Sequence, residues 1–157
     1  MSSPITVSAT KLALLQSKFH RIIKHRIKSA LKPFDLKTVD WVVLGFINHK
    51  KKPMGISEVA FELGIQSAFM TVIVAKLAKK SLITVTNDKI DHRKKYIVLT
   101  KEGAKVIRLM QRQFEEFFVP FTRGLTAKDI ETYLKIITTV IKNFENQGWR
   151  AGKDAGW

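Results

Sequence analysis

The chain has few residues placed to make or break bonds. Its four histidines, His20, His25, His49 and His92, stand without partners at the spacings that metal binding or nucleophilic catalysis requires. His20 and His25 are five apart and so do not share a helical face as an i, i+4 pair would. Cysteine is absent, which removes disulfides, thiolate metal sites and thiol redox chemistry. Paired carboxylates, a phosphate-cradling glycine loop and a serine nucleophile motif are also missing. No catalytic residue, no metal, no cofactor and no enzymatic activity are therefore expected. What the chain does concentrate is positive charge, in Lys89, His92, Arg93, Lys94 and Lys95. Such a cluster can pair with phosphates, and arginine is the side chain best suited to a narrow minor groove. A charged turn in water is the other reading, and the flanking sequence bears on the choice.

Residues 82–86 and 96–99 are β-branched, aromatic or leucine in character, and polar Asn87, Asp88 and Lys89 begin the turn between them. The cations thus sit at the tip of a two-stranded arm. Directly upstream, residues 56–80 read as a short helix, a glycine turn and a second helix. Ser57 is placed to cap the first of these, Ile56 and Phe61 to staple it, and Gly64 to take the left-handed turn. In the second helix, residues 66–80, the spacing buries Phe69, Ile73, Val74 and Leu77. That leaves Gln66, Ser67, Ala68, Met70, Thr71 and Lys76 for a DNA groove. Glutamine can read adenine, serine and threonine can serve bases or phosphates, and small apolar groups can meet a thymine methyl. Without an arginine for guanine, direct readout is modest or A·T-leaning. Lys76, Lys79, Lys80 and the wing would supply salt-dependent phosphate contacts.

The 157 residues suffice for one domain with a full core, and 45% hydrophobic with 26% charged residues is a globular composition. With 28 Lys and Arg against 13 Asp and Glu, the net charge is +15 and the pI about 10.2, a balance drawn to polyanions. The excess is uneven, since residues 1–52 carry +9 of it. Residues 8–31 form a helix with Leu12, Leu15, Phe19, Ile22, Ile23 and Ile27 on one stripe. Lys18, Arg21, Lys24, Arg26, Lys28 and Lys32 lie around the rest, and no acidic residue occurs between Lys11 and Lys32. This is either a solvated face or a phosphate-tracking surface. The N-terminus lacks signal-peptide character and no apolar run reaches membrane-spanning length, so a cytoplasmic protein with no membrane partner is expected.

Residues 36–103 carry a resemblance. Asp91-x-Arg93, the strand after it and Leu99-Thr100-x-x-Gly103 match the wing signature of the MarR family of winged-helix transcription regulators. Residues 36–44 and 56–60 are similar to that family's second helix and helix-turn-helix entry. The resemblance implies a tiny strand at Met54-Gly55 pairing with the wing, a recognition helix in the major groove and a wing arginine at the minor groove or backbone. Ser81 stands where many members have glycine, Ala75 where an acidic residue is common, and Lys37 at a usual threonine cap.

Before residue 36, Pro33 ends the first helix and Asp35 is placed to cap the next, over residues 36–48, where Trp41, Leu44, Phe46 and Ile47 are mostly core. After the wing, Thr100 caps a helix over residues 101–118 with Val106, Leu109, Met110, Phe114 and Phe117 inward, and Pro120 and Gly124 break or kink it. A capping box at Thr126-Asp129 opens the last helix, through Asn146, with Ile130, Tyr133, Leu134, Ile137, Val140, Ile141 and Phe144 on one stripe. These stripes exceed what one winged-helix core can cover. The expected fold is mainly α with a small β-hairpin wing, a winged helix-turn-helix over residues 33–100 flanked by dimerisation helices at 1–32 and 101–147. Residues 148–157, with Trp149 and Trp157, form a flexible tail.

The resemblance further implies a homodimer on palindromic double-stranded DNA, most often a repressor. Its effector would be a small aromatic or phenolic anionic ligand, and by position Phe19, His20, Ile23, Trp41 and Arg108 would line the pocket. An architectural protein coating DNA or RNA is the alternative, favoured by the +15 charge and the basic first helix.

Overall fold

The computed structural model describes residues 8–88, 91 and 94–148, without the side chains of Ala9 and Phe117. Lys89, His92 and Arg93 of the expected wing, and Trp149 and Trp157 of the expected tail, lie outside the described residues.

Helix α1 (Ala9–Leu31) starts where Ser8 Oγ accepts the Lys11 N–H at 3.4 Å. Its stripe is only partly covered. Leu31 is fully buried and Ile27 packs on the core, whereas Leu12, Leu15, Phe19 and Ile22 stay exposed. Pro33 lies in a 3-10 turn over Lys32–Phe34 that ends at a left-handed Asp35, φ 49°. Asp35 therefore does not cap helix α2 (Thr38–Lys50), because the backbone turns at Asp35 and runs on through Leu36 and Lys37 first. The N-cap is Lys37, whose side chain has no acceptor. The Asp40 carboxylate reaches back to accept the Lys37 N–H at 2.7 Å instead.

Strand β1 (Met54–Gly55) leads straight into helix α3 (Ile56–Glu62). Gly55 is the N-cap here, with Glu58 Oε2 accepting its N–H at 3.4 Å, so Ser57 falls inside the first turn and caps nothing. Phe61 is 71% exposed rather than stapled against Ile56. Gly64, at φ 61°, turns the chain into helix α4 (Ser67–Lys79). Strands β2 (Ile83–Asn87) and β3 (Lys95–Leu99) pair antiparallel from Ile83 opposite Leu99 to Asn87 opposite Lys95. β1 joins the other edge of β3 with Met54 opposite Ile97, giving the order β1-β3-β2. This register points Met54, Ile83 and Ile97 inward against Val43, Leu44 and Ile47 of α2, Val59 of α3, and Met70 and Leu77 of α4.

Thr100 caps helix α5 (Lys101–Phe121), its Oγ1 accepting the Gly103 N–H at 2.9 Å. Its hydroxyl lies 2.7 Å from the Ser81 carbonyl and 3.1 Å from that of Leu82. Met110, Ile107 and Phe114 of α5 close the core, and Phe114 stacks on Trp41 with centroids 4.5 Å apart. Leu109, expected inward, is 42% exposed because it lies off the arc of those three. Pro120 does not end α5, which runs on to Phe121; so near the helix end a missing N–H breaks only one late hydrogen bond. Gly124, φ 85°, makes the turn to helix α6 (Ala127–Asn146). The Thr126-Asp129 box forms reciprocally, with Asp129 N–H to Thr126 Oγ1 at 3.2 Å and Thr126 N–H to Asp129 Oδ2 at 2.8 Å.

Candidate nucleic-acid interface

Helix α4 buries Met70, Ile73, Val74 and Leu77, a ladder at i, i+3, i+4 and i+7. Met70, expected in the groove, is therefore a core residue with no exposed surface. Phe69, expected in the core, is displaced from that arc and is 40% exposed. The line opposite the buried arc is Ala68, Val72, Ala75 and Lys79, all exposed, with Val72 at 62%. Gln66, the N-cap residue, and exposed Ser67 and Thr71 flank it on one side. The Thr71 hydroxyl donates to the Ser67 carbonyl at 3.0 Å, leaving its oxygen as an acceptor.

Lys76 is engaged inside the fold. Its Nζ lies 2.6 Å from Oδ2 of Asp40, a carboxylate only 2% exposed. An ionised carboxylate at that depth needs a partner, and Lys76 supplies it, so this lysine is not available to phosphate as expected. One turn on, Lys80 Nζ reaches Asp35 Oδ2 at the same 2.6 Å. The hydrogen bond and charge of Lys80 hold the exposed Asp35 carboxyl below its ordinary value. Lys76 of α4 and Lys80 just after it thus tie the end of that helix to α2 and to the turn between α1 and α2.

The wing is the β2-β3 arm. Asp88 Oδ1 accepts the Asp91 N–H at 2.9 Å, the Asp88 N–H reaches the Lys94 carbonyl at 2.9 Å, and the Lys94 N–H reaches that of Asp91 at 2.8 Å. These bonds narrow the arm and leave Lys94 and Lys95 exposed. Lys94 Nζ is 4.0 Å from Asp91 Oδ2 with both side chains in water, a contact too weak to neutralise it.

A three-stranded sheet, a helix-turn-helix and a cationic arm in this order make a winged helix. Residues 36–103 match the winged helix DNA-binding domain family. The chain is 27% identical over 125 residues to the HTH-type transcriptional regulator TcaR of Staphylococcus aureus, covering 76% of this chain and 82% of that one. Its fold superposes on a mutant MarR from E. coli complexed with operator DNA at a TM-score of 0.72 and 19% identity, covering 88% and 99%. The chain has the winged-helix fold seen in that MarR structure. CouR from Rhodococcus jostii RHA1, bound to p-coumaroyl-CoA, has the same fold at a TM-score of 0.73 and 18% identity, covering 86% of this chain and 94% of that one. The relatives are transcriptional regulators, not enzymes.

In this chain the five residues expected around a ligand do not share a cavity. Phe19 packs edge-on against Tyr133 at 6.2 Å, His20 is exposed, Ile23 is half-buried and Trp41 stacks on Phe114. Arg108 lines an open depression of about 390 Å³ on α5 with Lys105, Leu109, Gln111, Arg112 and Glu115. The difference follows from sequence distance, because these side chains approach from three helices whose packing no local pattern specifies. Val72, Phe69 and Ala75, not among the residues expected to face a groove, are exposed on this helix. Placing Met70 in the buried ladder is the signal that finds them. Among the described residues no three metal-ligating side chains gather, and no single helix is long and apolar enough to cross a membrane.

Proposed function

We propose that the protein is a homodimeric, sequence-specific double-stranded DNA-binding transcriptional regulator that acts as a cytoplasmic repressor and is released from DNA by a small ligand. The observation that carries this reading is the exposed face of α4 beside an arm with unneutralised Lys94 and Lys95. Side chains of α4 enter the major groove, while Lys94, Lys95 and, from the wing motif, Lys89, His92 and Arg93 take phosphates or the minor groove. Gln66, Ser67, Ala68 and Thr71 keep their proposed groove roles.

Dimerisation is supported by the uncovered stripes. On α6 no residue is buried, and Leu134, Ile137, Val140, Ile141 and Phe144 are 37–57% exposed. With Leu12, Leu15 and Phe19 of α1 and Leu109 and Phe118 of α5, they form an apolar surface larger than a monomer normally leaves to water. Burying it against a second copy assigns residues 1–32 and 101–147 to the dimer and 33–100 to DNA. A two-fold axis then sets the recognition helices about 34 Å apart, one DNA turn. The cationic depression at Lys105, Arg108 and Arg112 suits a small aromatic or phenolic anion. Such a ligand acts only if it prefers a dimer geometry that misfits successive grooves.

The basic face of α1 supports a second reading, a coating protein with little sequence preference. Selection of bound sequences from random duplex DNA near physiological salt separates the two. A palindrome with half-sites about one turn apart is expected, and recovery of unrelated sequences would replace the regulator with the coating protein. Arg93→Ala should weaken binding to the selected site while the fold persists, and unchanged affinity would remove the wing.

A further inference from the structure

The uncharged centre line of α4 is the surface whose base chemistry the function so far derived leaves open. We propose that Ala68, Val72 and Ala75 of α4 read thymine 5-methyl groups in the major groove, with Val72 as the central contact. This rests on the reading of the protein as a DNA-binding regulator, and it names the base chemistry that the regulator recognises.

The line lies directly opposite the buried ladder of Met70, Ile73, Val74 and Leu77, so it is the part of α4 that projects farthest from the core. It contains no side-chain donor or acceptor until Lys79. Guanine is read by paired donors and adenine by a carboxamide, and this line has neither. Beside the line, Lys76 is held at 2.6 Å by buried Asp40 and turned toward α2. In the major groove the thymine methyl is the one apolar group that a base pair presents. A valine 62% exposed beside two alanines is complementary to it in size and polarity. The small alanines let the helix backbone approach the base edges, and Phe69, 40% exposed, borders the line on the far side. Ala68 to Ala75 spans roughly 10 Å of helix, the rise of about three base pairs. Each half-site should therefore contain an A·T-rich core with thymines facing α4.

The test uses the full-length protein and a selected site synthesised with thymine or with deoxyuridine, which differs only by lacking the methyl. Wild type should bind the uracil site roughly fourfold more weakly for each contacted methyl, and about fifteenfold for one in each half-site of a dimer. Val72→Ser should lose the share of the discrimination that Val72 supplies, roughly fourfold per half-site, a coupling that a general loss of fold cannot produce. Val72 is exposed, so the variant should unfold at the wild-type midpoint. Equal wild-type affinity for thymine and uracil sites would overturn the proposal, and so would a Val72→Ser protein that keeps the full wild-type discrimination. A palindrome with G·C half-site cores would keep the regulator and sink the methyl readout. Recovery of no motif at all would remove both.

Discussion

At Ser81 the chain leaves α4 with φ 58°, in the left-handed region that an L side chain enters at a cost. The Leu82 N–H reaches the Leu77 carbonyl at 3.0 Å and the Ser81 N–H that of Ala78 at 2.8 Å, a helix ending that favours glycine. Ser81→Gly should raise stability by about 1 kcal/mol and the melting midpoint by a few degrees. A lowered midpoint would mean that the serine side chain contributes something its backbone strain hides. Two carboxyls carry a pH signature. Asp129 is held below its ordinary value of 3.8 by its side-chain hydrogen bond to Thr126 and then by the Thr126 N–H, and Asp35 is lowered by Lys80. Because the folded values are depressed, these contacts contribute fully above pH 3.8 and are lost as pH falls through the lower folded values. Thr126→Ala should move the Asp129 carboxyl titration, followed by NMR, up toward 3.8, and an unmoved titration would deny the cap its role. Single residues were legible where their role is local. Gly64, Thr100 and Thr126 do what their positions suggest, whereas Ser57 and Asp35 lose their caps to neighbours two residues away.

Between elements the decisive contacts are few and distant in sequence. Asp40 joins α2 to α4 by accepting both the Lys37 N–H and the Lys76 ammonium. Asp40→Ala would strand a lysine that is 32% exposed and so can partly reach water. The expected loss is about 2 kcal/mol, below the range for fully buried pairs. Denaturant midpoints check it, and a neutral result would show that Lys76 relocates to solvent without cost. Gly103 has the opposite problem, too little room. A Cβ there would lie 2.1 Å from the Leu82 carbonyl, where the start of α5 is pressed against the turn that Thr100 clamps. Gly103→Ala should cost about 3 kcal/mol by forcing α5 off the sheet. Retention of wild-type stability would mean that this contact relaxes freely. Helix periods, the hairpin and its polar turn could be read in the sequence because they repeat over a few residues. The Asp40-Lys76 pair spans 36 positions and leaves no local trace, which is why Lys76 read as a groove residue. Met70 and Phe69 exchanged places because adjacent apolar residues in a helix fit two buried arcs about 100° apart, and only packing against α2 and the sheet selects one.

For the whole molecule, the apolar surface on α1, α5 and α6 and the charge on α1 describe one design seen from two sides. The stripes of α6 were legible as apolar ladders, but their exposure in a single chain follows only from seeing what the winged helix leaves uncovered. Lys18, Arg21, Lys24, Lys28 and Lys32 are all exposed, three or four positions apart. Each such like-charged pair weakens a helix by about 0.2–0.5 kcal/mol, and α1 contains no acidic residue to offset it. Ionic strength should then act on this protein with two signs. Added salt screens the repulsion and tightens α1, measurable as slower amide exchange along that helix, while the same salt strips the protein from DNA. Faster α1 exchange at higher salt would show that the ladder is not strained. Where salt steadies the proposed dimer helices and weakens the proposed grip on a duplex together, ionic balance becomes an input in its own right.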